Sequence, residues 1–185
     1  MDVGADEVAA LFAPLVVGGE VSARWWTFAR VDRQMSAPSE HLFALLVAFG
    51  QLVAAVPGGP LVPFDREKRR TLKPHETYDV PVAAAGLVNR LSPVSANDAE
   101  AALLTTLTIC PAYGGFHGPW GLDHACRVMD QLLQALGSEA RWWSTIIEED
   151  VTGNFSSCCT AQTFDRVVIG QGNQCALAVL RVAED

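Results

Sequence analysis

The sequence predicts a single α+β domain, a mostly antiparallel sheet of about four to five strands packed by helices, one of them apolar on every side. Three observations lead there. The chain has 185 residues, enough for one sizeable core and too few for an obvious second one. Helix-like periodicities dominate the first two thirds, whereas strand-like runs gather towards the C-terminus, the segregated order of an α+β domain. Half of the residues are hydrophobic and only 18% are charged, below the roughly 25% of an ordinary domain. That excess asks for deep burial, a homodimer interface or a partner surface.

Taken in order, Asp6 to Val17 places Val8, Leu11, Phe12 and Leu15 on one helical face. Pro14 removes a hydrogen bond near its end. Gly18-Gly19 interrupts the chain, and Arg24 to Val31, short and rich in aromatic and β-branched residues, reads as a strand. Ser39 to Val56 is the longest helix, with an N-cap expected at Pro38-Ser39 and a stop at Pro57-Gly-Gly-Pro60. From Leu42 to Val56 only Gly50 and Gln51 interrupt its apolar run. Fifteen residues rise only about 22 Å, short of the roughly 30 Å of a bilayer core, so the helix belongs inside a globular core and no membrane role is expected.

Residues 57–95 read as irregular, punctuated by prolines, with a short helical piece at Val82 to Leu91. Ser95 and Asp98 form a capping-box pattern ahead of Asn97 to Thr106, yet Leu103 to Ile109 suits a strand equally well. Leu122 to Leu136 is an amphipathic helix ended by Gly137. Trp142 to Glu148 reads as a strand, and Phe164 to Ile169 with Cys175 to Val182 form a hairpin around Gly170 to Gln174.

The formal net charge is −8, which argues against a general nucleic-acid binder, because phosphate affinity depends on Lys and Arg. Arg66, Lys68, Arg69, Arg70 and Lys73 form a basic block beside Asp65 and Glu67; the rest of the chain carries −11. The block reads as a solvated charged turn. Five cysteines, odd in number and without Cys-x-x-Cys spacing, together with an acidic N-terminus whose first basic residue is Arg24, point to reduced thiols in the cytoplasm. Eleven Arg against two Lys suggests a bacterial, GC-rich coding bias.

Ala-Arg-Trp-Trp occurs twice, ending at Trp26 and at Trp143, but the flanking residues diverge, so it marks no duplication. Side chains alternate across a strand, so the members of each Trp pair must face opposite sides of a sheet. Either both faces are covered or one ring of each pair meets a partner. Trp142 or Trp143 beside Glu148, Glu149 and Asp150 is the candidate partner surface, an aromatic anchor with an acidic run that would steer a basic protein.

The alternative site is Cys110 to Gly121, with four glycines, two prolines and three aromatics, opening into the Leu122 helix. Tyr113, Phe116, His117, Trp120 and His124 are its candidate ligand residues. A small-molecule site is one reading; a surface loop whose aromatics pack as its own small core is the blander one. No Gly-Lys-Ser/Thr follows, so it is not a phosphate-binding Walker loop. Cys110, His117, His124 and Cys126 lack the paired spacing of a zinc site. Cys158 or Cys159 activated by His117 would be the enzymatic alternative, without a surrounding motif to support it. The expectation is a protein with no metal or cofactor and no catalytic residue, most concretely an immunity or inhibitor protein neutralising a basic, toxin-like partner.

Overall fold

A computed structural model describes residues 5–16, 20–22, 25–33, 37–45, 64–65, 70–71, 90–109, 115, 118–145, 164–172 and 175–183. Its elements are α1 (Ala5–Val16), β1 (Glu20–Ser22), β2 (Trp25–Asp32), a helix α2 described over residues 38–45, and the two-residue strands β3 (Phe64–Asp65) and β4 (Arg70–Thr71). They continue with β5 (Ser92–Val94), α3 (Ala96–Thr108), α4 (Leu122–Leu136), β6 (Arg141–Ser144), β7 (Phe164–Gln171) and β8 (Ala176–Ala183). The architecture is α+β, as expected. The main sheet is antiparallel throughout, in the order β1-β2-β8-β7-β6-β5. The two Trp-Trp pairs lie in it, Trp25-Trp26 on β2 and Trp142-Trp143 on β6, separated by the β7–β8 hairpin.

The hairpin is the centre of the sheet because it is buried on both faces. Every residue from Asp165 to Gly172 and from Cys175 to Ala183 is buried. Phe164 pairs with Ala183 and Gln171 with Ala176, and the Gly172 amide closes the turn on the Cys175 carbonyl at 3.0 Å. Alternation then divides the sheet. Ala29, Val31, Trp142, Val168, Leu177 and Val179 face one way and join α1, α3 and α4 in the main core. Phe28, Val167, Ile169, Leu180 and Val182 face the other way and are buried outside that cluster. Leu42 and Leu45 of α2 are likewise buried outside it. Buried His41, between them and Ser39, feels the charges of Arg30 and Asp32, which project from the same face as Phe28. Helix α2 therefore lies by the second face, beside the Arg30 and Asp32 end of β2.

Local chemistry accounts for each helix. α1 buries Val8, Phe12 and Leu15 and continues two residues beyond an exposed Pro14. α2 begins one residue earlier than its sequence suggests: Ala37 accepts from the His41 amide at 3.4 Å, and Pro38 is the first helical residue, a place where proline's missing amide removes nothing. α3 resolves the helix-or-strand ambiguity at Leu103 to Ile109. Ser95 accepts from the Asp98 amide at 3.2 Å and donates to its carboxylate at 2.6 Å. The hydroxyls of Thr106 and Thr108 bond back to the Ala102 and Leu104 carbonyls at 2.7 and 2.6 Å, which accommodates β-branched residues on a helix. Apolar side chains at 99, 102, 103 and 107 are buried, and this helical spacing outweighs the strand propensity of the run. α4 buries Ala125, Val128, Met129, Leu132, Ala135 and Leu136 and ends at Gly137, whose φ of 79° favours glycine.

Two three-residue edge strands, β1 after the Gly18-Gly19 break and β5 inside the stretch read as irregular, are too short for periodicity to reveal and bring the sheet to six strands. The remainder of the apolar run to Val56, the helical piece at 82–89 and the strand continuation at 146–148 lie outside the described residues, as do the side chains of Trp25 and Trp26. No helix among the described residues is long and apolar enough to cross a membrane.

Gly170 on β7 fixes how the two faces divide at β6. A Cβ built there would come within 2.4 Å of the Trp142 ring, which is held in the main core and cannot swing aside without disturbing it. Replacing Gly170 by Ala should destabilise the protein by about 1–3 kcal/mol through overpacking. A denaturant midpoint equal to wild type would contradict the close approach.

Candidate functional site

Strand β6 follows α4 through a tight turn: the Gly137 amide bonds the Leu133 carbonyl at 3.0 Å and the Ala140 amide bonds the Gly137 carbonyl at 3.1 Å. The strand presents Arg141 and Trp143 on one face and Trp142 and Ser144 on the other. Trp142 is 3% exposed and belongs to the main core. It is therefore not a ring a partner meets, and of the two candidates Trp143 is the one with accessible surface. The Arg141 guanidinium lies 5.7 Å from the Trp143 ring centroid and donates to the Gln171 side-chain carbonyl at 3.4 Å. Stacked below and tethered beside, Arg141 stiffens the indole.

Trp143 pairs with Pro93 of β5, which is at one end of the sheet among the strands described. Pairing with β7 persists past Ser144: the Thr145 amide bonds the Val167 carbonyl at 3.0 Å, and the Thr145 hydroxyl accepts from the Val167 amide at 2.9 Å. Glu148, Glu149 and Asp150 follow in sequence and lie outside the described residues.

The glycine-rich segment is seated by its end. The Gly118 amide bonds the Thr108 carbonyl at 2.9 Å, and the Trp120 amide bonds the Leu107 carbonyl at 3.2 Å. These contacts satisfy carbonyls that the last turn of α3 would leave open. The approach is so close that a Cβ on Gly118 would meet the Leu107 carbonyl oxygen at 2.0 Å. The Trp120 ring lies 5.3 Å from Phe12 and meets His124 edge-on at 4.9 Å. Trp120 thus packs against the main core, while His124 is exposed on the first turn of α4. The structure brings these two candidate residues together. Tyr113, Phe116 and His117 lie outside the described residues, as do Cys110, Cys158 and Cys159. Among the described residues no group of three or more His, Cys, Asp or Glu side chains is placed to hold a metal ion.

One polar feature escapes the sequence reading. Arg166 and Arg181 stand directly opposite each other on β7 and β8, each 2% exposed, and Arg181 donates to the buried hydroxyl of Thr27 on β2. Both arginines have further partners. The sequence places the turn at Gly170 to Gln174, which would set Arg166 against Ala178. The strand instead runs on to Gln171 and the turn closes between Gly172 and Cys175, six residues from each arginine, and this shift in register makes them neighbours. They lie on the core face of the sheet, away from the Arg141–Trp143 side.

No protein-family model, curated protein or solved structure matches the chain.

Cys126 and Cys175 are free thiols in contrasting settings, one exposed on α4 and the other buried beside the hairpin turn. Burial pushes the Cys175 thiol up, which disfavours the thiolate that reacts. Brief alkylation of the native protein at neutral pH should modify Cys126 and leave Cys175 intact until the chain unfolds. Peptide mass mapping reads this directly, and equal labelling of the two would refute the assignment.

Proposed function

We propose that the protein is a non-enzymatic, cytoplasmic protein-binding domain of a bacterium, of the immunity or inhibitor kind, which neutralises a basic toxin-like partner. The observation that carries this reading is Trp143: partly exposed, stiffened by Arg141, on the sheet face opposite the main core. Rigid aromatic rings with some exposed surface are the side chains that most often anchor protein interfaces. The chain that follows β6 carries Glu148, Glu149 and Asp150 within a body of net charge −8, a distribution that favours a basic partner and speeds its approach. The seat of Trp120 on Phe12 gives that ring a packing role, which ranks a ligand site at residues 110–124 second.

Affinity capture from the native cell with mass spectrometry identifies the partner, and purified components then test the surface. Exchanging the three acids for neutral amides should mainly slow association and flatten its salt dependence, with little change in thermal midpoint. Trp143→Ala should instead speed dissociation, weakening binding by about 2 kcal/mol or more, roughly a thirty-fold change in Kd. A captured partner that binds both variants as it binds wild type would remove this surface from consideration.

A further inference from the structure

His41 is the buried titratable group that neither the fold nor the proposed surface uses. It is 1% exposed, and among the described residues neither ring nitrogen has a hydrogen-bond partner. An imidazole in that state is less favourable than an apolar side chain of similar volume, because its polar atoms have left water with nothing in exchange. Its position is specific. It lies on α2 between Ser39 and Leu42, on the helix that follows β2, and feels the charges of Asp32 and Arg30 on the second sheet face.

We propose that His41 is an acid-operated latch: the neutral ring lets α2 seat by the second face of the sheet, and protonation of the ring drives α2 off that seat. The inference is independent of what the protein binds.

The charged groups that reach the ring are Asp32 and Arg30 from β2 and Glu40 from α2 itself. Asp32 and Glu40 favour the imidazolium, and Arg30 opposes it. Arg30 and Asp32 are paired at 3.2 Å, which blunts the support Asp32 can give an imidazolium, and Glu40 is exposed to water. Asp165 shares this sheet face but stands six residues along the strands from the row of Asp32, about 20 Å away. Desolvation is the largest influence, and it holds the ring's pKa below its usual 6.5. The sign follows. Above pH 6.5 the ring is neutral whether α2 is seated or released, and the seated state is fully stable. As pH falls through 6.5 the released ring takes up a proton that the seated ring refuses, so seating weakens until the lower, buried pKa is reached. One proton changes the opening constant by at most tenfold per pH unit. Release would expose Leu42 and Leu45, so acid would turn buried apolar side chains into adhesive surface.

Amide hydrogen exchange on the full-length protein between pH 7.5 and 5.0, corrected for intrinsic rates, tests the latch. The opening constant for residues 38–45 should rise up to tenfold per pH unit below 6.5, while β7 and β8 keep their protection. His41→Leu should abolish the rise and leave exchange at pH 7.5 no faster than wild type. An opening constant that ignores pH, a rise that persists in His41→Leu, or β7 and β8 losing protection in step with α2 would each overturn the proposal. If that variant does not fold, the wild-type ring titration followed by NMR decides: a His41 pKa clearly below 6.5 supports the latch, and one at or above 6.5 sinks it.

Discussion

The β7–β8 hairpin is buried on both of its faces, and that constraint organises the rest of the molecule. A strand pair with no solvent side must be flanked by other strands and covered by two layers of side chains. β2 and β6 supply the flanks; α1, α3 and α4 cover one face and α2 lies by the other. The few charges the hairpin carries are confined by the same rule. Arg166 and Arg181, brought face to face by the register, need compensation inside the protein, since like charges in a dry interior repel strongly.

That constraint also gives the adjacent tryptophans of β6 different roles. One strand out from the hairpin, the pleat sends Trp142 into the main core over Gly170 and leaves Trp143 with Arg141 on the other side. The two rings are chemically identical, and only their parity in the strand separates a packing residue from a candidate anchor. The glycines follow the same economy. Gly118, Gly170 and Gly172 are each pressed against a neighbour at a distance that leaves no room for a Cβ. The glycine content that suggests ligand binding in the sequence serves, at these positions, contact between elements.

Much of the fold was legible because its signals are local and strong. The glycine-rich turn sets the hairpin, although it closes between Gly172 and Cys175 and not over the expected Gly170 to Gln174; Gly137 ends α4 where its periodicity stops, and Ser95 with Asp98 marks the start of α3. What escaped depends on non-local contact. β1 and β5 are strands only because β2 and β6 lie beside them. The Leu103 to Ile109 run is helical because its buried side chains meet the sheet, a fact that propensity alone does not contain. Of the candidate site, parity predicted that the tryptophans divide, but which one faces the core depends on register. The tilted packing of Trp120 against Phe12 joins residues more than a hundred positions apart.

Pro93 has a consequence for how molecules of this protein can meet one another. An outermost strand normally offers a row of free amides and carbonyls, and a second chain can continue the sheet by pairing with it. Among the described residues that border is three residues long with a proline, which has no amide N–H, at its centre, so it supplies few donors to template an incoming strand. Growth of the sheet from molecule to molecule is therefore stopped at this border. A partner approaching from this side must recognise side chains, because the backbone gives it almost nothing to read.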